Sequence, residues 1–151
     1  MKILLAIDGS HCSDLAVSEI ARRPWPDGSE LKLITVIEPL LLPMAEPMAL
    51  PGDYFEQAEQ VAQEQSAAVI EKATGAIRSA HPEWTAVTSE VLRGNPKQVI
   101  VEEAEKWRAD LIVVGSHGYK GFTRFWLGSV SQAVASHAHC SVEIVRQRHE
   151  E

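Results

Sequence analysis

The sequence predicts an α/β fold in which helices cover both faces of a parallel β-sheet. Segments with strand patterns and segments with helix patterns alternate four times along the chain, and a fifth strand closes the series. The first segment, residues 2–8, is almost entirely apolar, which is typical of a parallel strand buried on both faces. The length of 151 residues suits a single domain, which we place at 1–147, followed by a charged tail at 148–151.

The first predicted βα unit leads into a second strand and a long loop. After the strand at 2–8, a Gly9-Ser10 turn and apolar residues at helical spacing predict a helix over about 11–23. Residues 31–37 are β-branched and apolar, as in a second buried strand. Repeated prolines then predict a long loop at 38–52.

A long helix is predicted to follow that loop. Asp53 and Glu56 form a variant of the capping box, and the helix is expected to end near Ala80, before a proline. Six apolar residues are predicted to form its buried face: Phe55, Val61, Ala62, Val69, Ala73 and Ile77.

The second half of the chain repeats the alternation. Val87, Ser89 and Val91 alternate with Thr88 and Glu90, as expected of a strand near the edge of the sheet with one wetter face. Asn95 and Pro96 are a favoured N-cap and first residue for a helix that reaches Trp107. Three further elements are predicted: a buried strand at 111–114, a helix at 128–138 and a strand at 142–145.

The composition disfavours several classes of function. The chain has 14 Lys and Arg against 21 Asp and Glu, a formal net charge of −7, so nucleic acids and anionic membranes would approach against repulsion. The N-terminal apolar run is too short for a signal sequence or a membrane span, and we expect a cytoplasmic protein. Cys12 and Cys140 are predicted at opposite ends of the sheet, where they cannot pair. His137, at a predicted helix C-terminus, is explained by the helix dipole rather than by a zinc site.

Two segments are predicted at the edge where parallel strands end, which is where open α/β sheets bind ligands. In the first, Asp8 ends the opening strand before the Gly9-Ser10 turn. The second is Gly115-x2-Gly118-x9-Gly128-Ser129-Val130-Ser131, whose small residues leave backbone amides uncovered at a helix start that suits a phosphate. The glycine spacing fits neither a dinucleotide fingerprint nor a P-loop. Glycines are also common in βα turns, so a purely structural role is an alternative.

With this motif the chain resembles the universal stress protein family over essentially its whole length. The nucleotide-binding branch has the pattern G-x2-G-x9-G-[ST], met here at Gly115, Gly118, Gly128 and Ser129. The resemblance implies a three-layer α/β sandwich of the adenine nucleotide alpha hydrolase-like, Rossmann-like type, with five parallel strands in the order 3-2-1-4-5. It also implies that an adenine nucleotide is bound by Ala6, Ile7, Asp8, Val36, Gly115, Ser116, His117, Gly118, Gly121, Gly128, Ser129, Val130 and Ser131.

The resemblance assigns roles to some of these residues. The backbone of Val36 would contact adenine, and Asp8 would lie beside the ribose and phosphates. A carboxylate in that position is also the residue expected to hold Mg²⁺, if the nucleotide is bound with the metal.

The resulting hypothesis is a universal stress protein that binds ATP, or ADP or AMP, and acts as a dimeric nucleotide sensor in the stress response. The family implies a dimer through the fifth strand, here by Val142, Ile144 and Val145, whose contact a charged Glu143 would weaken. One alternative is a slow ATP hydrolase or phosphotransferase, for which Arg124 would be the cation. A nucleotide-free protein-interaction module is the other.

Overall fold

The computed structural model describes residues 1–39, 53–84, 86–118 and 127–146. In chain order these residues form β1 (Lys2–Ala6), α1 (His11–Arg22), β2 (Glu30–Ile37), α2 (Tyr54–Ala80), β3 (Val87–Arg93), α3 (Pro96–Trp107), β4 (Leu111–Gly115), α4 (Ser129–His137) and β5 (Ser141–Val145). The strands form a parallel sheet of order β3-β2-β1-β4-β5. The predicted fold class, strand order and element sequence are confirmed, with ends that shift by a few residues.

Successive side chains of β1 point to opposite faces of the sheet and enter two separate apolar clusters. Ile3 and Leu5 lie in the cluster that contains buried residues of α1 and α2. Leu4 and Ala6 lie in the other, which contains Ile100 of α3 and other buried residues of α3 and α4. The sheet is therefore the middle layer of a three-layer sandwich, and β1 is buried on both faces as its apolar sequence predicted.

The predicted packing of α2 is wrong for Phe55 and Val61, whereas Ala62 and Val69 are half-buried and Ala73 and Ile77 are buried. Its buried residues are Ser66, Ile70, Ala73 and Ile77, whereas Phe55 and Val61 are 43% and 50% exposed. A helix of 27 residues is about 40 Å long, while a strand of eight residues spans only about 26 Å. The helix is therefore longer than the sheet that it covers.

The two predicted helix caps also differ in outcome. Asn95 caps α3 by accepting a hydrogen bond from the Lys97 N–H at 3.1 Å, with Pro96 in the first turn, as predicted. Asp53 lies at the N-cap of α2, but its side chain caps no backbone amide; its carboxylate accepts instead from the Gln57 side chain at 2.5 Å. The capping box prediction for α2 is therefore wrong.

The loop predicted at 38–52 lies almost entirely outside the described residues, as does the charged tail at 148–151. Both cysteines are free, as predicted. Among the helices that the structure describes, none combines the length and the apolar character needed to cross a membrane.

Candidate functional site

The turn from β1 to α1 places a carboxylate at the edge where the strands end. Strand β1 ends at Ala6, and Gly9 adopts a left-handed φ of 80°, a backbone conformation that glycine accepts without strain. The Asp8 carboxylate accepts a hydrogen bond from the Ser10 N–H at 2.9 Å. The Ser10 hydroxyl in turn caps α1 by accepting from the Ser13 N–H at 3.3 Å. Asp8 is exposed, and the bond from Ser10 holds its carboxylate against the turn that follows.

Further hydrogen bonds tie this turn together and join it to β4. The Ser13 hydroxyl accepts from the Gly9 N–H at 3.0 Å and donates to the Ser10 carbonyl at 3.0 Å. The Ser10 hydroxyl donates to the His117 carbonyl at 3.4 Å. Ser13 was not among the predicted site residues; its spacing from Ser10, typical of an N-cap and its third helical residue, is the signal that could have identified it.

The end of β4 and the start of α4 are joined through a single carbonyl group. The Ser116 carbonyl accepts from the Gly128 N–H at 2.8 Å and from the Ser131 hydroxyl at 3.0 Å. The Ser116 N–H donates to the Val145 carbonyl at the end of β5, at 2.8 Å. Ser131 is buried, and its hydroxyl is used within the protein. These contacts place the N-terminus of α4 directly beside the segment that follows β4.

The three described glycines of the motif lie where chain segments approach closely. A Cβ on Gly118 would lie 2.7 Å from an oxygen of the Asp8 carboxylate, so the two predicted segments meet here. A Cβ on Gly115 would lie 2.6 Å from the backbone of Cys12 in α1, and one on Gly128 would lie 3.0 Å from the Ser116 carbonyl oxygen. Internal packing therefore requires small residues at Gly115 and Gly128, whether or not a ligand is bound, whereas a Cβ on Gly118 would meet only the end of a flexible side chain.

His117 carries an unsatisfied polar atom at the centre of this arrangement. Its Nδ1 lies 3.1 Å from the Ser116 hydroxyl, which is also 3.7 Å from the Cys12 sulfur. Its Nε2 is buried and has no hydrogen-bond partner among the described residues. Buried polar atoms are almost always hydrogen-bonded in folded proteins, so the unpaired Nε2 is an exception at this edge of the sheet.

The electrostatics of the same edge suit an anion. The first amides of α4 have no partner within the helix, and Gly128 at the N-cap offers no side chain to cap them. Ser129 is exposed and Val130 is half-buried in this first turn. The aligned peptide dipoles add a partial positive charge at this end.

Ala6, Ile7 and Val36 line the neighbouring part of the edge. Ala6 and Ile7 are buried, and Val36 is half-buried near the end of β2. The Ile7 N–H donates to the Ile34 carbonyl at 2.9 Å, which holds the end of β1 against β2. Of the other predicted site residues, Gly121 lies outside the described residues, as does Arg124 of the hydrolase alternative.

Strand β5 is an edge of the sheet, with Val142, Ile144 and Val145 only partly buried. Glu143 is not a bare charge on this edge, because the Arg23 guanidinium donates to both of its carboxylate oxygens, at 2.7 and 2.8 Å. Hydrogen bonds with Glu143 and then with Glu19 raise the pKa of Arg23 above its ordinary value. The charge of Glu143 is therefore neutralised within the chain.

The residues described provide no ready-made metal cluster. No group of three His, Cys, Asp or Glu side chains that could hold a metal ion occurs among them. His137 Nδ1 donates to the Ala133 carbonyl at 2.8 Å, within its own helix. Burial, and then the nearby Asp110 carboxylate, raise the pKa of the Cys140 thiol, which opposes the thiolate form that binds metals.

A comparison with protein families identifies the family of this chain. Residues 1–146 match the model of the universal stress protein family. The chain belongs to the universal stress protein family. A universal stress protein from Methanocaldococcus jannaschii is 31% identical over 148 residues, which cover 97% of this chain and 82% of the relative.

Solved structures of this family have the same architecture. The chain resembles a universal stress protein in complex with cAMP, with a TM-score of 0.66, 24% identity and coverage of 97% of this chain and 96% of the other. It also resembles a universal stress protein family protein from Arabidopsis thaliana with AMP bound, with a TM-score of 0.69, 19% identity and coverage of 98% and 92%. These likenesses establish the shared fold.

Proposed function

We propose that this universal stress protein binds an adenine nucleotide at the carboxyl edge of its sheet. The observation that carries the proposal is the meeting of Gly118 with the Asp8 carboxylate, which joins the β1–α1 turn to the segment between β4 and α4. The buried, unpaired Nε2 of His117 lies at the same place. Family members that carry cAMP and AMP support an adenine nucleotide as the ligand.

The proposed orientation follows from the chemistry of the two halves of the edge. The phosphates lie at the N-terminus of α4, against Gly128, Ser129, Val130 and Ser131, because this end carries free amides and a partial positive charge. The base lies over Ala6, Ile7 and Val36, where the surface is apolar and backbone groups can read its edge. The ribose then spans Asp8 and the residues from Gly115 to Gly118.

In its more specific form, the proposal is that the bound nucleotide is ATP together with Mg²⁺. A triphosphate that starts beside Asp8 brings its oxygens near an exposed carboxylate, and a hard cation shared between them would complete its shell with water. Since Asp8 is the only described site residue with a carboxylate, it would supply one ligand and not a metal cluster. Such an arrangement favours holding a nucleotide over transferring its phosphate, which supports a sensor in the stress response.

We further propose that the chain forms a homodimer through β5. Val142, Ile144 and Val145 are only partly buried on this edge strand, and an unpaired edge favours pairing with a second strand. The pairing of Glu143 with Arg23 removes the main electrostatic objection to such a contact.

Mass spectrometry of small molecules released from freshly purified protein, with calorimetric titration of AMP, ADP and ATP, tests the nucleotide proposal. We expect one adenine nucleotide per chain and binding that a matched guanine nucleotide does not reproduce. Bound ADP that accumulates from added ATP would favour the slow hydrolase. No binding of any adenine nucleotide would favour the protein-interaction module, because internal packing alone then explains Gly115 and Gly128.

A further inference from the structure

The ladder between β1 and β2 ends before the ladder between β2 and β3. The last pair of β1 and β2 is Ala6 opposite Ile34, followed by the bond from the Ile7 N–H to the Ile34 carbonyl at 2.9 Å. Pairing of β2 with β3 continues to Ile37 opposite Arg93. Part of β2 therefore extends along β3 after β1 has left it, on the side where the base is proposed to lie.

The direction of the Val36 backbone follows from the alternation of a parallel ladder. Alternate residues of a central strand bond to alternate neighbours. Glu30 and Ile34 bond toward β1, whereas Leu31 and Ile37 bond toward β3. Val36 therefore directs its N–H toward β1, where the next ladder bond would join it to the Ile7 carbonyl. No such backbone bond is formed between these two described residues.

The Ile7 carbonyl has a different partner. The Thr35 hydroxyl lies 3.0 Å from it, and Thr35 is only 5% exposed. A carbonyl oxygen can only accept, so the hydroxyl must donate. Valine would serve equally well for the strand, since it has the same shape and is also β-branched. The hydroxyl is what threonine adds at this position.

We infer that Thr35 is a positioning residue for adenine recognition: its hydroxyl satisfies the Ile7 carbonyl and leaves the Val36 N–H available to the base. This rests on the proposed nucleotide function and adds a residue whose side chain does not face the ligand itself. A buried carbonyl without a partner is costly, so loss of the hydroxyl would draw the Val36 N–H onto Ile7. The ladder would then close by one bond, and the base would lose a donor.

The test compares Thr35→Val, which removes the hydroxyl, with Thr35→Ser, which keeps it. Amide hydrogen exchange of Val36, followed by NMR in the nucleotide-free protein, reports the ladder bond directly. Calorimetry with AMP reports base recognition, and ribose 5-phosphate serves as a probe without a base. In Thr35→Val we expect Val36 exchange to slow about tenfold and AMP affinity to fall about tenfold. Ribose 5-phosphate binding should not change, and Thr35→Ser should match the parent.

The outcomes separate this inference from the proposed function. If the parent protein binds no AMP, the nucleotide proposal itself fails and base recognition fails with it. If the parent binds AMP, the inference is overturned when Thr35→Val leaves either the AMP affinity or the Val36 exchange rate unchanged. It is also overturned when Thr35→Ser behaves as Thr35→Val. Should Thr35→Val not fold, Thr35→Ala removes the same hydroxyl with a smaller side chain and is judged by the same criteria.

Discussion

The two ends of the sheet differ in how their buried polar groups are satisfied. At the carboxyl end, the buried Nε2 of His117 has no partner among the described residues. At the opposite end, the Ile20 carbonyl near the end of α1 cannot receive the usual helical bond, because residue 24 is proline and has no N–H. Two side chains replace it: Trp25 Nε1 donates at 2.9 Å and His81 Nε2 lies at 3.1 Å.

Aromatic rings pack against one another at the end of the sheet where α1 ends. The His81 ring stacks on Trp84 with centroids 4.7 Å apart, and Trp84 lies 6.3 Å from Trp25. The other ring nitrogen of His81, Nδ1, lies 3.0 Å from a Glu83 carboxylate oxygen. At this end the Ile20 carbonyl and both His81 nitrogens have partners, whereas at the carboxyl end the His117 Nε2 has none among the described residues. Substitutions at the end near α1 should therefore lower stability, and substitutions at the carboxyl end should lower nucleotide affinity.

The largest expected effect is on nucleotide affinity, from Gly128→Val. The first carbon of the new side chain would already lie 3.0 Å from the Ser116 carbonyl oxygen, and the branched remainder would displace the segment that holds His117. We expect an affinity loss of about a hundredfold or more. Ser129→Ala removes one hydroxyl bond to a charged group and should cost less, about 1.5 to 3 kcal/mol.

Calorimetry with ATP, after circular dichroism has verified folding, measures this ranking. A folded Gly128→Val protein that binds as well as the parent would mean that the glycines only allow the chain segments to pack.

An intermediate effect on two different properties is expected from a matched pair of histidine variants. His117→Leu removes the unpaired Nε2 together with the Nδ1 contact to the Ser116 hydroxyl, so the free energy of unfolding should change by less than about 1 kcal/mol, while AMP affinity falls about tenfold. His81→Leu removes a donor to the Ile20 carbonyl and the stacking on Trp84, and should cost about 2 kcal/mol of stability with no change in AMP affinity.

Chemical denaturation and calorimetry of both variants check this pair. Equal losses of stability in the two proteins would show that the two ends of the sheet do not differ as described.

The smallest expected effect is the pH dependence contributed by Glu19, which lies near the end of α1. Hydrogen bonds from Arg22 and then Arg23 hold the pKa of Glu19 below its ordinary value of 4.5. Because the folded pKa is the lower one, this carboxylate stabilises the fold above about pH 4.5, and the contribution is lost as pH falls through the folded pKa.

Glu19→Gln removes this titrating group, so its stability should decline less steeply than that of the parent between about pH 5 and pH 3. Thermal unfolding over this range measures the slope. Parallel pH profiles would show that Glu19 gains nothing from the two arginines in the folded protein.

The sequence predicts the framework of the site better than its details. The parallel sheet follows from apolar runs such as residues 2–8, because only strands buried on both faces tolerate so little polarity. The glycine spacing also indicates where the backbone must be uncovered. It does not reveal that Gly118 lies against Asp8, since these residues are 110 positions apart in the chain.

Thr35 and Phe55 illustrate what local patterns cannot resolve. In the sequence, Thr35 has the pattern of an ordinary β-branched strand residue. Its bond to the Ile7 carbonyl depends on where β1 leaves the sheet. Phe55 has the spacing of a buried helix residue, yet its burial depends on whether the sheet extends beneath it. In both cases the missing information is the length of a neighbouring element in space.

The sequence by itself determined the alternation of strands and helices, the two-faced burial of β1 and the cap at Asn95. These depend on periodicity, backbone conformation and contacts within a few residues. Only the tertiary structure decided which polar atoms are satisfied. Thr35 satisfies the Ile7 carbonyl and Arg23 satisfies the Glu143 carboxylate, whereas the His117 Nε2 has no partner among the described residues. The physical reason is that a buried hydrogen bond needs both partners at a set distance and angle, and chain segments distant in sequence reach that geometry only when the layers pack.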